Sequence, residues 1–363
     1  MSIESTQIIV ANAPVTAVNF EWNKPDSTFE ITKTTINPED LKDGEVLVRT
    51  IYFSNDPFTR STIQKVENQQ YPKGAPVIAV GLGEVLKSKS TKYKQGDIIT
   101  GVWSWSEYAI VNEHIIYFAI DPNSKYPLTY YLTLLGIGPL TAYFGLVKQF
   151  NFKLEKDSDN FTKKNLIIIS AASGAVGSAA VQLSKHLFGI STVVGITGSD
   201  EKAQWVESIG ADKAFNYKSK TFQTDLAEYV SANGRADYYF DNVGGEILSF
   251  ILSLLNPYGK VAACGSIAGY NDPSKSLVSN WYKITTSRLQ ILGFTVHDYV
   301  PEYLEALKVL EQAIDEKKLV TENAFGIEDI SDKANKYELV PLIWSKIFTE
   351  EKSNGKLITK FSN

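Results

Sequence analysis

Residues Leu166–Ser170 read LIIIS, and the residues that follow, Ala171-Ala172-Ser173-Gly174-Ala175-Val176-Gly177, read AASGAVG. The first run is short, apolar and β-branched, as a parallel strand buried on both faces requires. Past the turn, Val176, Ala180, Leu183 and Leu187 recur at helical spacing. A strand, a glycine-bearing turn and an amphipathic helix, in that order, are the opening of a βαβ unit.

Against the spacing G-x-G-x-x-G, Ala172 takes the first position, Gly174 the second and Gly177 the third. Each position has its own physical demand. The second lets backbone approach a pyrophosphate, the third lets the helix pack on the strand, and the first needs a tight turn that Ala can sometimes make. A diphosphate would rest on the N–H groups at the helix start, from Gly174 through Ala175 and Val176 to Gly177. Small residues alone would also build an ordinary strand–turn–helix. The apolar strand before the turn and the amphipathic helix after it favour the phosphate reading.

Strand–helix alternation continues on both sides of this unit, from about Leu128 to about Val300. Thr192–Thr197, Ala236–Asp241, Lys260–Cys264 and Leu289–Val296 read as further strands and Glu201–Ile209 as a helix. The expectation is a doubly wound parallel sheet, with residues 128–311 as its domain. Before residue 127 the texture differs. Gly44–Tyr52, Val77–Leu86, Asp97–Trp103 and Tyr108–Val111 are short β-rich runs punctuated by glycine, as in a small, partly open barrel or sandwich. Ala334–Phe348 reads as helix and Lys356–Phe361 as strand. Residues 312–363 would therefore return to complete the first domain.

A carboxylate about twenty residues past the glycines usually marks an NAD site. There the chain has Thr197, Gly198 and Ser199, small and neutral. They leave room for a 2′-phosphate, which Lys202 would neutralise and Ser199 would hydrogen-bond. A lysine near a helix start opposes the helix dipole, which favours a functional reason for it. Asp200 argues the other way: at the strand tip it would favour NAD.

The 363 residues fit two domains, and 44% apolar against 21% charged residues is the balance of a folded chain. A net charge of −5 gives no general attraction to phosphate backbones, so nucleic acid is not an expected partner. No apolar run reaches the roughly 20 residues of a spanning helix, and Met1–Asn23 lacks the layout of a secretory signal. A cytoplasmic protein without a membrane partner is the expectation. Cys264 is the single cysteine and His114, His186 and His297 the only histidines, none at ligand spacing, so no zinc site is expected. Cys264 reads as a small packing residue rather than a nucleophile.

Several segments together resemble one family. Ala171–Gly177, Gly198–Lys202 (GSDEK), Phe215–Lys218 (FNYK), Phe240–Gly245 (FDNVGG) and Cys264–Asn271 (CGSIAGYN) are similar to the zinc-independent medium-chain dehydrogenase/reductases. The match is to the prostaglandin reductase (leukotriene hydroxydehydrogenase) and 2-alkenal double-bond reductase branch. Tyr52–Arg60 (YFSNDPFTR) resembles that branch's YLSxDPYMR, and Leu135–Leu146 its helix entering the cofactor domain. The resemblance runs from about Asp43 to Lys356. It implies an α/β protein with a Rossmann domain plus a GroES-like β-barrel catalytic domain, and an active site in the cleft between them. It also implies that Gly174, Ala175, Val176 and Gly177 hold the pyrophosphate of NADPH and that Ser199, Lys202 and Tyr217 face its 2′-phosphate. Asn242, Cys264, Gly265, Ser266, Tyr270, Phe294, Thr295 and Val296 would lie along the cofactor. The terminal N-x-G-K motif falls on Ser353 or Asn354. Phe58 and Thr59 depart from the branch's Tyr and Met and would alter the pocket wall.

Without a metal, hydride addition to the β-carbon of an enal or enone is a more natural task than alcohol–carbonyl conversion. Tyr270, then Tyr52, are the candidates to stabilise or protonate the developing oxyanion. Either could instead be a packing aromatic, among 19 tyrosines. An NADPH quinone oxidoreductase and a non-catalytic, crystallin-like NADPH-binding protein are the alternatives. The apolar strand Leu289–Val296 would be a sheet edge open to a second subunit.

Overall fold

The computed structural model describes residues 2–64, 73–154, 165–349 and 354–363. They divide into two compact units. One comprises Met1–Leu132, Gly326–Ser353 and Leu357–Asn363, the other Thr133–Phe325 and Asn354–Lys356.

In the first unit, β1 (Ile3–Val10) and β2 (Phe29–Ile36) form an antiparallel pair. The larger sheet uses β3 (Glu45–Ser54), β4 (Ile78–Ser88), β5 (Ile98–Ser104), β6 (Tyr108–Asn112), β7 (Ile116–Ala119), β14 (Phe325–Asp329) and β15 (Lys356–Lys360). Its order is β14-β15-β3-β4-β5-β7, with β6 also on β3. Short helices α1 (Phe58–Ile63) and α9 (Lys336–Ser345) accompany it. Trp103, Trp105, Trp344, Phe29 and Phe53 fill the core, and the Trp103 indole N–H donates to Thr50 Oγ1 at 2.9 Å. Gly81 has no side chain because a Cβ there would overlap the Trp103 ring.

In the second unit, six strands run parallel. They are β8 (Leu166–Ile169), β9 (Thr192–Thr197), β10 (Lys213–Asn216), β11 (Ala236–Asp241), β12 (Leu255–Ala263) and β13 (Gln290–Gly293). The order β10-β9-β8-β11-β12-β13 is that of a doubly wound nucleotide-binding sheet, with its switch point between β8 and β11. The helices are α2 (Ile137–Phe144), α3 (Ala175–Gln182), α4 (Asp200–Ser208), α5 (Phe222–Ala232), α6 (Gly245–Ile251), α7 (Tyr282–Ser287) and α8 (Tyr303–Asp315). All four residues of β8 are buried, as a central parallel strand demands. On α8, Tyr303, Ala306, Leu307, Leu310 and Ala313 form the buried stripe.

Two strand expectations need correction. The run Leu289–Val296 is a strand only over Gln290–Gly293: Phe294 and Thr295 leave the ladder, and Val296 opens a 3₁₀ turn. The run Lys260–Cys264 belongs to a strand that already begins at Leu255, with a register shift opposite Ala236 and Tyr238. The second unit also continues past residue 311. Val320 donates its N–H to Gln182 Oε1 at 2.6 Å, which holds the chain there.

Candidate active site

Every sequence-derived site position described in the second unit, except Asn354, follows the C-terminal end of a parallel strand, the end where open α/β sheets bind ligands. Ala171 adopts φ +48 and makes the tight corner after β8. Gly174 is the N-cap of α3, in extended conformation, with no side chain capping the helix. The first helical bond runs from Ser178 N–H to Gly174 O at 2.9 Å. The N–H groups of Ala175, Val176 and Gly177 therefore precede the helical ladder, a donor set suited to an anion. A Cβ on Gly177 would overlap the Ala171 carbonyl oxygen, so glycine there sets the helix against the turn.

The turn is braced from the far end of the chain. Gly355 N–H donates to Ser173 O at 2.9 Å. Gly355 sits at φ +65, and a Cβ on it would overlap the carbonyl oxygen of Ala324. Asn354, half-buried, adjoins this bridge. Ser353 lies outside the described residues.

After β9, Ser199 caps α4 and its Oγ accepts the Lys202 N–H at 3.3 Å. Asp200 and Glu201 occupy the first turn, where the dipole favours acids. Tyr217 follows β10, bonded through its N–H to Thr197 O at 2.9 Å. Its ring lies 3.4 Å from where a Cβ on Gly198 would stand. Gly198, Ser199, Lys202 and Tyr217 thus gather at the adjoining ends of two strands. The Asp200 carboxylate accepts from Nδ2 of Asn216, the last residue of β10, at 3.0 Å.

Asn242 is spent on structure. Its Nδ2 donates to Ser170 O at 2.8 Å and its N–H to Ser170 Oγ at 2.9 Å. The residue before it, which sequence reasoning passed over, organises the switch point. The buried Asp241 carboxylate accepts from Tyr239 Oη at 2.8 Å and from the N–H groups of Val243 and Gly244, both at 3.0 Å. Desolvation raises its pKa, and these bonds pull it back. The only sequence signal was an acid at the end of the strand, beside Asn242.

After β12, Cys264 and Gly265 donate their N–H groups to Asp241 O at 2.9 and 3.0 Å. Burial pushes the Cys264 thiol up to about 12, far from a nucleophile. Ser266 caps the 3₁₀ turn Ile267–Gly269, and Tyr270 closes it. Burial raises the Tyr270 phenol above its usual range, offset in part by the Ser266 backbone. It stays a hydroxyl at neutral pH, as a proton or hydrogen-bond donor must. After β13, the Phe294 ring stands edge-on to Phe240 at 6.2 Å between centroids. Thr295 Oγ1 is 3.2 Å from His297 Nδ1. Val296 is buried, and its backbone carbonyl accepts from Tyr303 Oη at 3.1 Å.

In the first unit, Tyr52 is half-buried on β3, opposite Leu82 and Lys360. Thr59 is fully buried and donates to Ile78 O at 3.3 Å, which makes it a packing residue rather than a pocket wall. Phe58 is half-buried. Among the described residues no group of three or more His, Cys, Asp or Glu is arranged to hold a metal, and no helix is long and apolar enough to cross a membrane.

Two family models match. "Zinc-binding dehydrogenase" covers residues 175–312 and "N-terminal domain of oxidoreductase" covers residues 15–117. A 2-alkenal reductase (NADP(+)-dependent) of Nicotiana tabacum is 35% identical over 82% of this chain and 85% of its own. Prostaglandin reductase 1 of Mus musculus is 33% identical over 70% of this chain and 71% of its own. The chain belongs to the medium-chain dehydrogenase/reductases, in their 2-alkenal and prostaglandin reductase branch. The chain is also 34% identical, over 98% of both chains, to a protein of Saccharomyces cerevisiae named an uncharacterized membrane protein. Among solved structures it resembles CurA of Vibrio vulnificus in complex with NADPH, with a TM-score of 0.78, 25% identity and 99% of both chains covered.

Proposed function

We propose that this oxidoreductase uses NADPH to reduce the C=C bond of α,β-unsaturated aldehydes or ketones, without a metal. The observation that carries the reading is the pairing of two features at one sheet end: an uncapped α3 start for a diphosphate, and the half-buried, undissociated Tyr270 phenol after β12. The names of the tobacco, mouse and Vibrio relatives support both cofactor and substrate class.

The amides of Ala175–Gly177 take the pyrophosphate. Ser199, Lys202 and Tyr217 take the 2′-phosphate. Residues Cys264–Tyr270 and Phe294–Val296 flank the nicotinamide, and Asn242 acts by fixing the turn beside it. When bound, NADPH supplies the hydride, which adds to the β-carbon. Electron density moves to the carbonyl oxygen, where Tyr270 donates a hydrogen bond and then a proton; Tyr52 is the second candidate for this role. One cysteine and three scattered histidines support a metal-free route, because a catalytic zinc needs three protein ligands in one place.

The edge strand β13, with the exposed Leu277, Trp281 and Tyr282 in the stretch of sequence before it, supports a homodimer through the parallel sheet. The composition supports a cytoplasmic location. Steady-state oxidation of NADPH tests the function. A medium-chain 2-alkenal should be turned over with a higher kcat/KM than a quinone. Preference for the quinone would make the protein a quinone reductase, and saturable NADPH binding without turnover of either would make it a binding protein.

A further inference from the structure

Asp200 is an acid in an awkward place. It is the first residue of α4, between the cap Ser199 and Lys202, where a 2′-phosphate is proposed to bind. A carboxylate turned toward that site would repel the phosphate and compete for the lysine. It would also offer an acceptor to an unphosphorylated ribose, which is how NAD sites select their cofactor.

The side chain of Asn216 restrains it. Asn216 ends β10, in register with Thr197 of β9. Its Oδ1 accepts the Lys218 N–H at 3.0 Å and its Nδ2 donates to Asp200 Oδ1 at 3.0 Å. The orientation of the amide is fixed by these partners: a backbone N–H requires the oxygen, and a carboxylate requires the NH2. Asn216 therefore ties Asp200 to the β10 side of the strand tips.

We infer that Asn216 is a positioning residue for cofactor choice, which acts through Asp200 to favour NADPH over NADH. The inference rests on the assignment of Ser199, Lys202 and Tyr217 to the 2′-phosphate. Without its tether the carboxylate samples rotamers facing the phosphate. NADPH binding weakens, while NADH gains an acceptor for its ribose hydroxyls.

The test is a double-mutant cycle on the full chain, read as Kd for NADPH and for NADH from nucleotide fluorescence. Asn216→Ala should lower the NADPH:NADH preference about tenfold, the scale of moving one exposed charge toward a phosphate. In an Asp200→Ala background the same change should leave the preference unaltered. Asn216→Ser, smaller and still polar, serves if the alanine variant does not fold, with the same two expectations. An unchanged preference in the single variant, or an equal loss in both backgrounds, overturns the role of Asn216. Lys202→Ala separates the two levels of failure. Selective loss of NADPH with Asn216→Ala silent overturns this inference alone, whereas equal loss of NADPH and NADH overturns the phosphate assignment and the inference with it.

Discussion

Gly355 donates its backbone N–H to the carbonyl oxygen of Ser173 at 2.9 Å, so the phosphate turn is braced by a residue from the far end of the chain. The brace works only with glycine. Position 355 has φ +65 and faces the Ala324 carbonyl so closely that no Cβ fits.

Gly355→Ala is therefore expected to cost at least about 2 kcal/mol, from a left-handed conformation combined with a backbone clash. The measurement is the midpoint of thermal unfolding with and without NADPH. The variant should melt lower, and added NADPH should raise its midpoint less than it raises that of the wild type.

Lys202→Ala should weaken NADPH about tenfold or more, since hydrogen bonds to charged groups contribute roughly 1.5–3 kcal/mol. NADH should change little. Titration calorimetry with both nucleotides checks this, and matched losses would remove Lys202 from the 2′-phosphate.

Tyr270→Phe should lower kcat about a hundredfold, the lower end of general acid catalysis, with NADPH affinity nearly unchanged. Because burial raises the Tyr270 pKa, the acid form should persist through neutral pH. The wild-type rate should fall, on this account, only above the usual tyrosine value of about 10. Stopped-flow single turnovers across pH would show an earlier fall if another group is the acid.

Cys264 offers a pH test that needs no substitution. With its thiol pushed up to about 12, the thiolate fraction at pH 8 is on the order of 10⁻⁴. Iodoacetamide should label the folded protein orders of magnitude more slowly than the unfolded chain. The rate should climb tenfold per pH unit through pH 10. Rapid labelling of native protein at pH 8 would contradict the raised thiol pKa.

How far the sequence could be read depends on the element. The strands Thr192–Thr197 and Ala236–Asp241 were legible to the residue, because β-branched residues in the first and aromatic residues in the second are bounded by turn residues. β10 was not recognised as a strand: only four residues long, it sits at the sheet edge and opens with an exposed lysine. The pairing of β1 with β2 was invisible, since turn residues such as Pro14, Asn23 and Pro25 in so long a connection, residues 11–28, set no register. The framework of the candidate site was legible where the backbone leaves no room for a Cβ, at Gly177. It was illegible where a role arises from tertiary hydrogen bonding, as for Asp241 on the Val243 and Gly244 amides, Asn216 on Asp200 and Gly355 on Ser173. Thr59 shows the converse: a motif comparison made it pocket wall, and packing made it core.

The central claim is that the uncapped start of α3 grips a pyrophosphate while the tips of β9 and β10 receive a 2′-phosphate. Titration calorimetry of the purified chain with NADPH and with NADH tests it most directly. The account predicts saturable binding of one NADPH per chain, with NADH at least about tenfold weaker. Absence of saturable binding for either nucleotide, or tighter binding of NADH, would contradict it.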